Sequence, residues 1–171
     1  MTYYTCIESP LESILLTSDG TALTSLSMGA SQHGPRVGQD WVRSEDAAPF
    51  AETKRQLALY FDGRLTRFDL PLARQGTSFQ QSVWEELEAI PYGATISYGE
   101  VARRIGSPNA SRAVGLANGR NPLAIIVPCH RVIGASGRLV GYGGGLPRKE
   151  ALLAFEASVL VTGPHPFPNL G

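Results

Sequence analysis

The sequence predicts an α/β protein in which a small strand-rich α/β domain precedes a mainly helical domain. Short apolar segments separated by turns fill the first 28 residues, whereas capping motifs and helical periodicity dominate after Thr77. The 171 residues are enough for one small and one medium-sized core. We therefore expect domains at 1–75 and 76–160, followed by a disordered tail at 161–171 that holds three prolines and two glycines.

The N-terminal domain is predicted to open with an antiparallel meander, because Ser9-Pro10 and Asp19-Gly20 mark turns between apolar segments. Its three strands are expected at 2–8, 13–18 and 22–28. Residues 29–48 are rich in Gly, Ser and Pro and are expected to form a variable loop. A helix over Phe50 to Phe61 follows, and one more short strand is expected between Leu65 and Leu72.

The second domain is predicted to consist of short, capped helices. Thr77 opens a possible capping box for a helix that runs to Ile90, and Ser97 to Glu100 form another for a helix that ends at Gly106. A third helix is predicted over Ala110 to Asn118, after a Gly-Ser-Pro turn. Two short helices joined in this way have the proportions of a helix-turn-helix.

The third helix is unusually rich in small residues, namely Ala110, Ser111, Ala113, Gly115, Ala117 and Gly119. Small side chains allow another backbone to approach the helix closely. One interpretation is packing against a neighbouring helix, and the other is contact with a nucleic-acid groove that excludes bulky side chains.

Cys129 is the strongest candidate for a reactive residue. It follows Leu123 to Val127, an apolar run that predicts a buried strand, and Pro128 would end that strand so that the next side chain is displayed. An adjacent imidazole, here His130, is a common means of producing a nucleophilic thiolate. A structural buried cysteine is the alternative at this point.

The charges of the chain are strongly segregated, although they sum to zero. Residues 1–100 carry a net charge of −6, and residues 150–171 carry −2. Residues 101–149 hold eight basic residues, seven of them Arg, and no acid. Arginine is preferred for phosphate and base contacts, so this block favours a nucleic-acid partner over an ordinary solvated face.

Glu156 interrupts the apolar face of the last predicted helix, which Pro147 opens. The apolar residues of that face are Leu152, Leu153, Val159 and Leu160. A carboxylate there needs a partner or a function, unless it reaches water near the helix end. The glycine-rich run 141–145 precedes this helix and indicates close approach of backbone to a ligand.

Several classes of protein are excluded by composition. No apolar run approaches the roughly 20 residues of a membrane span, and the N-terminus lacks the pattern of a signal peptide. Two cysteines without such a signal indicate free thiols in a reducing compartment, so we expect a cytoplasmic, nucleoid-associated protein. His33, His130 and His165 do not have metal-ligand spacing, and no metal or cofactor is expected.

Residues 77–156 closely resemble the O6-alkylguanine-DNA alkyltransferases, also called methylated-DNA–protein-cysteine methyltransferases. The matching motifs, in order and at the family's spacing, are Phe79–Trp84, Ile90–Gly93, Ser97–Glu100, Ser111–Gly115, Asn118–Pro122, Ile126–Val132 and Gly141–Gly145. The resemblance implies a ribonuclease H-like N-terminal domain and a winged helix-turn-helix-like second domain. The length suits the compact bacterial or archaeal type.

The resemblance also implies a catalytic group. Cys129 would accept the alkyl group from guanine O6 as a thiolate. A water would connect Cys129 with His130, and Glu156 would hold the histidine in place. Asn121 would brace the turn that carries the cysteine.

A second implied group would bind double-stranded DNA and hold the flipped base. Arg112 would fill the gap in the base stack. Tyr98 would donate to the base N3, Tyr142 would line the pocket, and the carbonyls of Cys129 and Val132 would accept from the guanine amine. The remaining expected contacts are Ser111, Ala113, Gly115, Arg120 and Gly143, the last of which stands where some members have a serine.

The implied function is stoichiometric DNA repair. O6-alkylguanine, and O4-alkylthymine as a second substrate, would be flipped out of duplex DNA and would pass the alkyl group irreversibly to Cys129. We expect a monomer in solution, and the sequence leaves open whether molecules bind cooperatively along DNA. The main alternative is a non-catalytic binder of alkylated bases with the same fold. A thiol hydrolase and a plain helix-turn-helix regulator explain fewer of the motifs.

Overall fold

The computed structural model describes residues 1–29, 36–139 and 145–169. Its larger sheet lies in the N-terminal half and has the strand order β3-β2-β1-β4. The strands are β1 (Tyr3–Ile7), β2 (Ile14–Ser18), β3 (Leu23–Met28) and β4 (Val42–Arg43). Antiparallel pairing of β1 with β2 and of β2 with β3 confirms the predicted meander, and β4 pairs parallel to β1.

The fourth strand is not where the sequence predicted it. β4 lies in the segment expected to be a loop, whereas residues 65–72 contribute a single bridge between Leu72 and Leu23. The Pro71 carbonyl accepts from the Leu23 N–H at 2.9 Å, but proline has no N–H with which to extend the ladder. Both residues of β4 are exposed, so apolar periodicity did not indicate a strand there.

Helix α1 (Phe50–Phe61) has the predicted bounds. Its buried face carries Phe50, Leu57 and Tyr60, which belong to the hydrophobic core. Gly63 follows the helix with a φ of 72°, a conformation that glycine adopts without steric cost.

The described part of the second domain contains α2 (Ser78–Glu88), α3 (Tyr98–Arg104), α4 (Ser111–Gly119) and α5 (Leu146–Thr162). Thr77 caps α2 through the predicted capping box. Ser97 caps α3 by accepting from the Glu100 N–H at 3.0 Å. The Glu100 carboxylate pairs with Arg103 and Arg104 instead of completing a second box.

Helices α3 and α4 are joined by the predicted short turn. Gly106 has a φ of 78°, and the Ser107 N–H donates to the Ala102 carbonyl at 2.9 Å, which ends α3. Trp84 of α2 is buried, and its indole N–H donates to the Ala117 carbonyl of α4 at 2.9 Å. The inner side of α4 is therefore fixed to α2, and its outer side is left exposed.

A second, two-stranded sheet links the start of α3 to the cysteine motif. β5 (Ile96–Ser97) pairs parallel with β6 (Val132–Ile133). Because β5 leads directly into α3, the pairing brings Tyr98 close to the segment that follows Cys129.

The run from Leu123 to Val127 is not the predicted strand. Leu123 forms one bridge to Leu26 of β3, after which the chain turns, with Ile125 at a φ of 71° and the Val127 N–H donating to the Leu123 carbonyl. The run is apolar because four of its five residues are buried between the two domains. Short apolar runs do not distinguish a strand from other buried segments.

The C-terminal segment also differs from the expected disordered tail. α5 continues to Thr162, and Phe167 is buried beside the rings of Phe61 and Phe155. The Phe167 N–H donates to the Phe61 carbonyl at 2.6 Å. One buried aromatic side chain thus holds this proline-rich segment against α1.

Candidate active site

Cys129 begins a single 3-10 turn, Cys129–Arg131, and only 5% of its surface is exposed. Its N–H donates to the Val127 carbonyl at 2.8 Å, and its carbonyl accepts from Asn118 Nδ2 at 3.3 Å. Asn118 lies on the buried side of α4, so the helix of the helix-turn-helix also contacts the cysteine backbone. No pattern in the sequence indicated that Asn118 belongs to the site.

Asn121 spans the turn that leads to the cysteine. Its Nδ2 donates to the Val127 carbonyl at 2.8 Å, and its Oδ1 accepts from the Leu123 N–H at 3.0 Å. Burial raises the pKa of the Cys129 thiol, while the Asn121 side chain and the charge of Lys149 act in the opposite direction. The thiol is therefore protonated at rest near neutral pH, and a base is needed to make it nucleophilic.

His130 and Glu156 form a fully buried pair in which Nε2 lies 2.7 Å from Oε2. Burial lowers the pKa of His130 and outweighs the opposing effect of Glu156, so the imidazole is neutral. A neutral ring that donates through Nε2 carries its lone pair on Nδ1. Nδ1 is buried and has no hydrogen-bond partner among the described residues. The ring is thus ready to accept a proton there, and Glu156 would stabilise the resulting imidazolium.

Arg131 holds the same carboxylate from a second direction. Its Nε lies 2.8 Å from Glu156 Oε1, its Nη2 lies 3.0 Å from Oε2, and its Nη1 donates to the Ile90 carbonyl at 2.8 Å. Burial alone would raise the pKa of Glu156, but His130 and Arg131 outweigh it and hold the pKa well below its usual range. Glu156 is accordingly a buried, ionised group and does not reach water at the helix end.

The N-terminal domain contributes to this group of side chains as well. Tyr60 of α1 donates its hydroxyl to Glu156 Oε2 at 2.7 Å, and the Gly93 N–H donates to Oε1 at 3.1 Å. No pattern in the sequence pointed to the Tyr60 contact, because 96 residues separate the partners and the tyrosine matches an ordinary core position.

Lys149 is a further buried charge near the cysteine. Its Nζ donates to the Val132 carbonyl at 2.6 Å and lies 5.8 Å from the centroid of the Tyr98 ring. Burial lowers the pKa of Lys149 to about 8, a shift that the thiolate form of Cys129 would oppose. Lys149 lies seven residues before Glu156 on the same side of α5, a spacing that could have indicated its place in the site.

The carbonyls of Cys129 and Val132 are thus both already bonded by a side chain, from Asn118 and Lys149 respectively. A carbonyl oxygen has two lone pairs, so each retains capacity to accept from a base. Burial, followed by the Cys129 charge, raises the pKa of the half-buried Tyr98 to about 12, which keeps its hydroxyl protonated.

The predicted DNA-binding residues of α4 form one exposed surface. Ser111, Arg112, Ala113 and the adjacent Arg120 are exposed, and neither arginine forms an ion pair with a described residue. A Cβ at Gly115 would stand 3.9 Å from the Tyr98 ring, which is ordinary contact. Packing within the protein therefore does not require glycine at this position. Tyr142 and Gly143 lie outside the described residues.

No three His, Cys, Asp or Glu side chains within the described ranges are close enough to hold a metal ion. Over the same ranges, none of the helices combines the length and apolar character needed to cross a membrane.

Both halves of the chain match family descriptions. Residues 2–74 match "6-O-methylguanine DNA methyltransferase, ribonuclease-like domain", and residues 78–158 match "6-O-methylguanine DNA methyltransferase, DNA binding domain". The chain is 53% identical over 156 residues to a methylated-DNA–protein-cysteine methyltransferase of Methanosarcina acetivorans, covering 91% of this chain and 99% of the relative. A protein of the same name from Mycobacterium tuberculosis is 53% identical over 158 residues, with coverage of 92% and 94%.

A crystal structure of Mycobacterium tuberculosis OGT in complex with DNA has the same fold. Its TM-score with this chain is 0.84 at 52% sequence identity, and the match covers 91% of this chain and 93% of the other. The similarity therefore extends over both domains and includes a relative seen on DNA.

Proposed function

Because the chain belongs to the 6-O-methylguanine DNA methyltransferase family, we propose that it repairs DNA by moving an alkyl group from guanine O6 to its own Cys129 Sγ. The observation that carries this proposal is the buried pair of His130 and Glu156 next to a buried thiol. A carboxylate at 0% exposure is costly unless it has a task or partners. Here the Glu156 carboxylate lies where it can stabilise the positive charge of His130 after the histidine has accepted a proton.

The proposed reaction balances without a cofactor. The Cys129 proton passes through a bridging water to His130 Nδ1, and the resulting thiolate attacks the alkyl carbon. The S–C bond forms as the C–O6 bond breaks, and the electron pair of that bond goes to the guanine. The Tyr98 hydroxyl, which stays protonated because its pKa is about 12, donates to the base N3 and helps to stabilise this charge.

The products are a thioether on the protein and an unmodified guanine, once N1 of the guanine anion takes up a proton from water and His130 releases the proton that it accepted. A thioether is a poor leaving group, so the reaction is irreversible, and the enzyme acts once per molecule. In the classification of enzymes this is a methylated-DNA–protein-cysteine S-methyltransferase.

The proposed partner is duplex DNA that contains O6-alkylguanine, with O4-alkylthymine as a second substrate. The exposed surface of α4 would lie in a groove, with Arg112 occupying the space of the flipped base. Arg112 and Arg120 are exposed there and form no ion pair with a described residue, which favours contact with phosphates. The roles of Ser111, Ala113, Gly115 and Arg120 as contacts belong to this proposal, as do those of Tyr142 and Gly143 in the pocket. We further propose that the protein acts as a monomer at the DNA of the cytoplasm.

Intact mass after incubation with duplex DNA carrying one O6-methylguanine tests the proposal. We expect the protein to gain one CH2 unit, located on the peptide that contains Cys129. The Cys129→Ser variant should bind the same DNA and gain nothing. A wild-type protein that binds the lesion but never gains mass would instead be a non-catalytic binder.

A further inference from the structure

We propose that Tyr60 of the N-terminal domain is a positioning residue for alkyl transfer, which holds Glu156 so that His130 is aligned with Cys129. This inference rests on the proposed function and assigns a role in it to the strand-rich domain. Tyr60 does not touch the reacting atoms, because it acts through Glu156.

The inference depends on which oxygen of Glu156 the Tyr60 hydroxyl contacts. Tyr60 donates to Glu156 Oε2 at 2.7 Å, and His130 Nε2 lies 2.7 Å from the same atom. Arg131 Nη2 reaches that oxygen as well, at 3.0 Å. The hydroxyl of a residue in the first domain therefore shares the acceptor that orients the catalytic histidine in the second.

The position of the Tyr60 hydroxyl is itself fixed. The ring is 1% exposed and is surrounded by the rings of Phe61, Phe68, Tyr92 and Phe155, whose centroids lie 5.4–6.2 Å away. Because packing already holds the Tyr60 ring in place, the hydrogen bond forms with little further loss of conformational entropy. The bond therefore restrains the Glu156 carboxylate effectively.

The two domains are also joined by backbone hydrogen bonds. The Leu26 N–H of β3 donates to the Pro122 carbonyl at 2.8 Å, and the Ala124 N–H donates to the Leu26 carbonyl at 3.3 Å. The segment that leads into the cysteine turn thus lies along the edge of the N-terminal sheet. Tyr60 is therefore set relative to the same backbone that positions Cys129.

If the bond to Glu156 served only to satisfy the Tyr60 hydroxyl, removing that hydroxyl would leave the pKa of His130 unchanged. The inference predicts an effect, because a carboxylate oxygen that loses one donor becomes a stronger acceptor for the others. The pKa of His130 should then rise. The titratable and charged groups that face the pair are Tyr60 from α1, Tyr92 from the loop after α2, Cys129 and Arg131 from the 3-10 turn, and Lys149 from α5.

The test is the single-turnover rate of methyl transfer from O6-methylguanine duplex DNA as a function of pH, measured on full-length protein. In Tyr60→Phe the rate should fall roughly 10-fold, a part of the 10²–10⁴-fold that a positioned general base contributes. The acidic limb of the pH profile, where the rate falls as His130 becomes protonated, should move to higher pH. His130 must be neutral to accept the proton from Cys129. DNA affinity, measured in a Cys129→Ser background, should not change.

Tyr92→Phe is the matched control. Tyr92 belongs to the same ring cluster, but its hydroxyl is buried without a hydrogen-bond partner among the described residues. The same atom is removed, and no bond to Glu156 is lost. We expect its pH profile to match that of the wild type. In a Glu156→Gln background, Tyr60→Phe should cause no further shift of the acidic limb.

The inference is overturned if the profile of Tyr60→Phe keeps the wild-type acidic limb, or if Tyr92→Phe shifts it equally. Failure of the proposed function would be seen separately, as the absence of methyl transfer by the wild-type protein. If Tyr60→Phe does not fold, 3-fluorotyrosine placed at position 60 is the second probe. Its more acidic phenol is a stronger donor and should move the acidic limb to lower pH, and an unmoved limb would contradict the inference.

Discussion

Arg131 and Glu156 form a buried, two-point ion pair, in which Nε lies 2.8 Å from Oε1 and Nη2 lies 3.0 Å from Oε2. The planar guanidinium fixes the plane of the carboxylate, so Oε2 faces His130 in one orientation. Arg131 adjoins His130 in the sequence, and its side chain is buried as well. The arginine of the cysteine motif therefore supports the histidine and is not part of the basic surface.

Glu156→Gln should slow alkyl transfer by roughly 100-fold, because an amide does not stabilise a charged His130 as a carboxylate does. DNA affinity should be nearly unchanged, since α4 lies elsewhere. The measurements are single-turnover rates against pH and binding in a Cys129→Ser background. An unchanged profile in the Gln variant would reduce Glu156 to a structural role.

Arg131→Lys should destabilise the protein by about 3 kcal/mol, because a lysine cannot reproduce the two-point pairing of a buried arginine with Glu156. Denaturant unfolding measures the change. Arg138→Lys is the matched control, since Arg138 is exposed on the turn after β6 and should lose less than about 0.5 kcal/mol. Equal losses in the two variants would contradict the importance of the buried pair.

Arg112→Ala should reduce repair of duplex DNA far more than reaction with free O6-benzylguanine or a similar alkylated base. Arg112 is exposed on α4 and would support extrusion of the base, which a free base does not need. Rates on both substrates are compared with those of Arg55→Ala, an exposed arginine of α1 that pairs with Glu52. The assignment fails if both substrates slow by the same factor.

Methyl transfer should stop after one equivalent per protein molecule. The described residues place no second thiol near Cys129, since Cys6 is exposed on β1. Titration of limiting protein with excess methylated duplex measures the number of transfers. Several transfers per molecule would exclude the thioether as an end product.

The lowered pKa of Lys149 predicts how stability depends on pH. The charged amine is penalised in the folded state, with a pKa of about 8 against 10.5 for the free group. The unfolded chain therefore binds more protons between these values, so the lysine disfavours folding below pH 8, and this effect declines as pH rises towards 10.5. The melting temperature of the wild type should rise relative to that of Lys149→Met over this window. A constant difference would mean that the amine titrates normally.

Much of the fold could be predicted from local patterns. The meander, α1, and the capped start of α2 depend on turn residues, periodicity and capping boxes, which act within a few positions. β4 and the Leu123–Val127 segment were mispredicted because their conformations depend on partners elsewhere, the first on β1 and the second on β3.

The residues of the site also divide into those that local sequence patterns indicate and those that depend on distant contacts. Cys129, His130 and Asn121 lie within nine positions, in motifs that the resemblance covers, and Glu156 was visible as a charge on an apolar face. Tyr60 and Asn118 look like ordinary helix residues in the sequence, and their contacts arise from packing between distant elements. Leu160 was assigned to the apolar stripe of α5 but is 61% exposed, whereas Phe155 is buried.

The bridge between Leu26 and Leu123 has a consequence for the order in which the molecule is assembled. It closes a loop of nearly a hundred residues, and contacts of such sequence separation form slowly because their entropy cost precedes any gain. The meander is complete on the nascent chain long before Leu123 is synthesised. We therefore expect the cysteine turn to form late, against an N-terminal sheet that is already folded. On that expectation the burial of Cys129 comes late in folding, and before it the thiol would be open to any electrophile in solution.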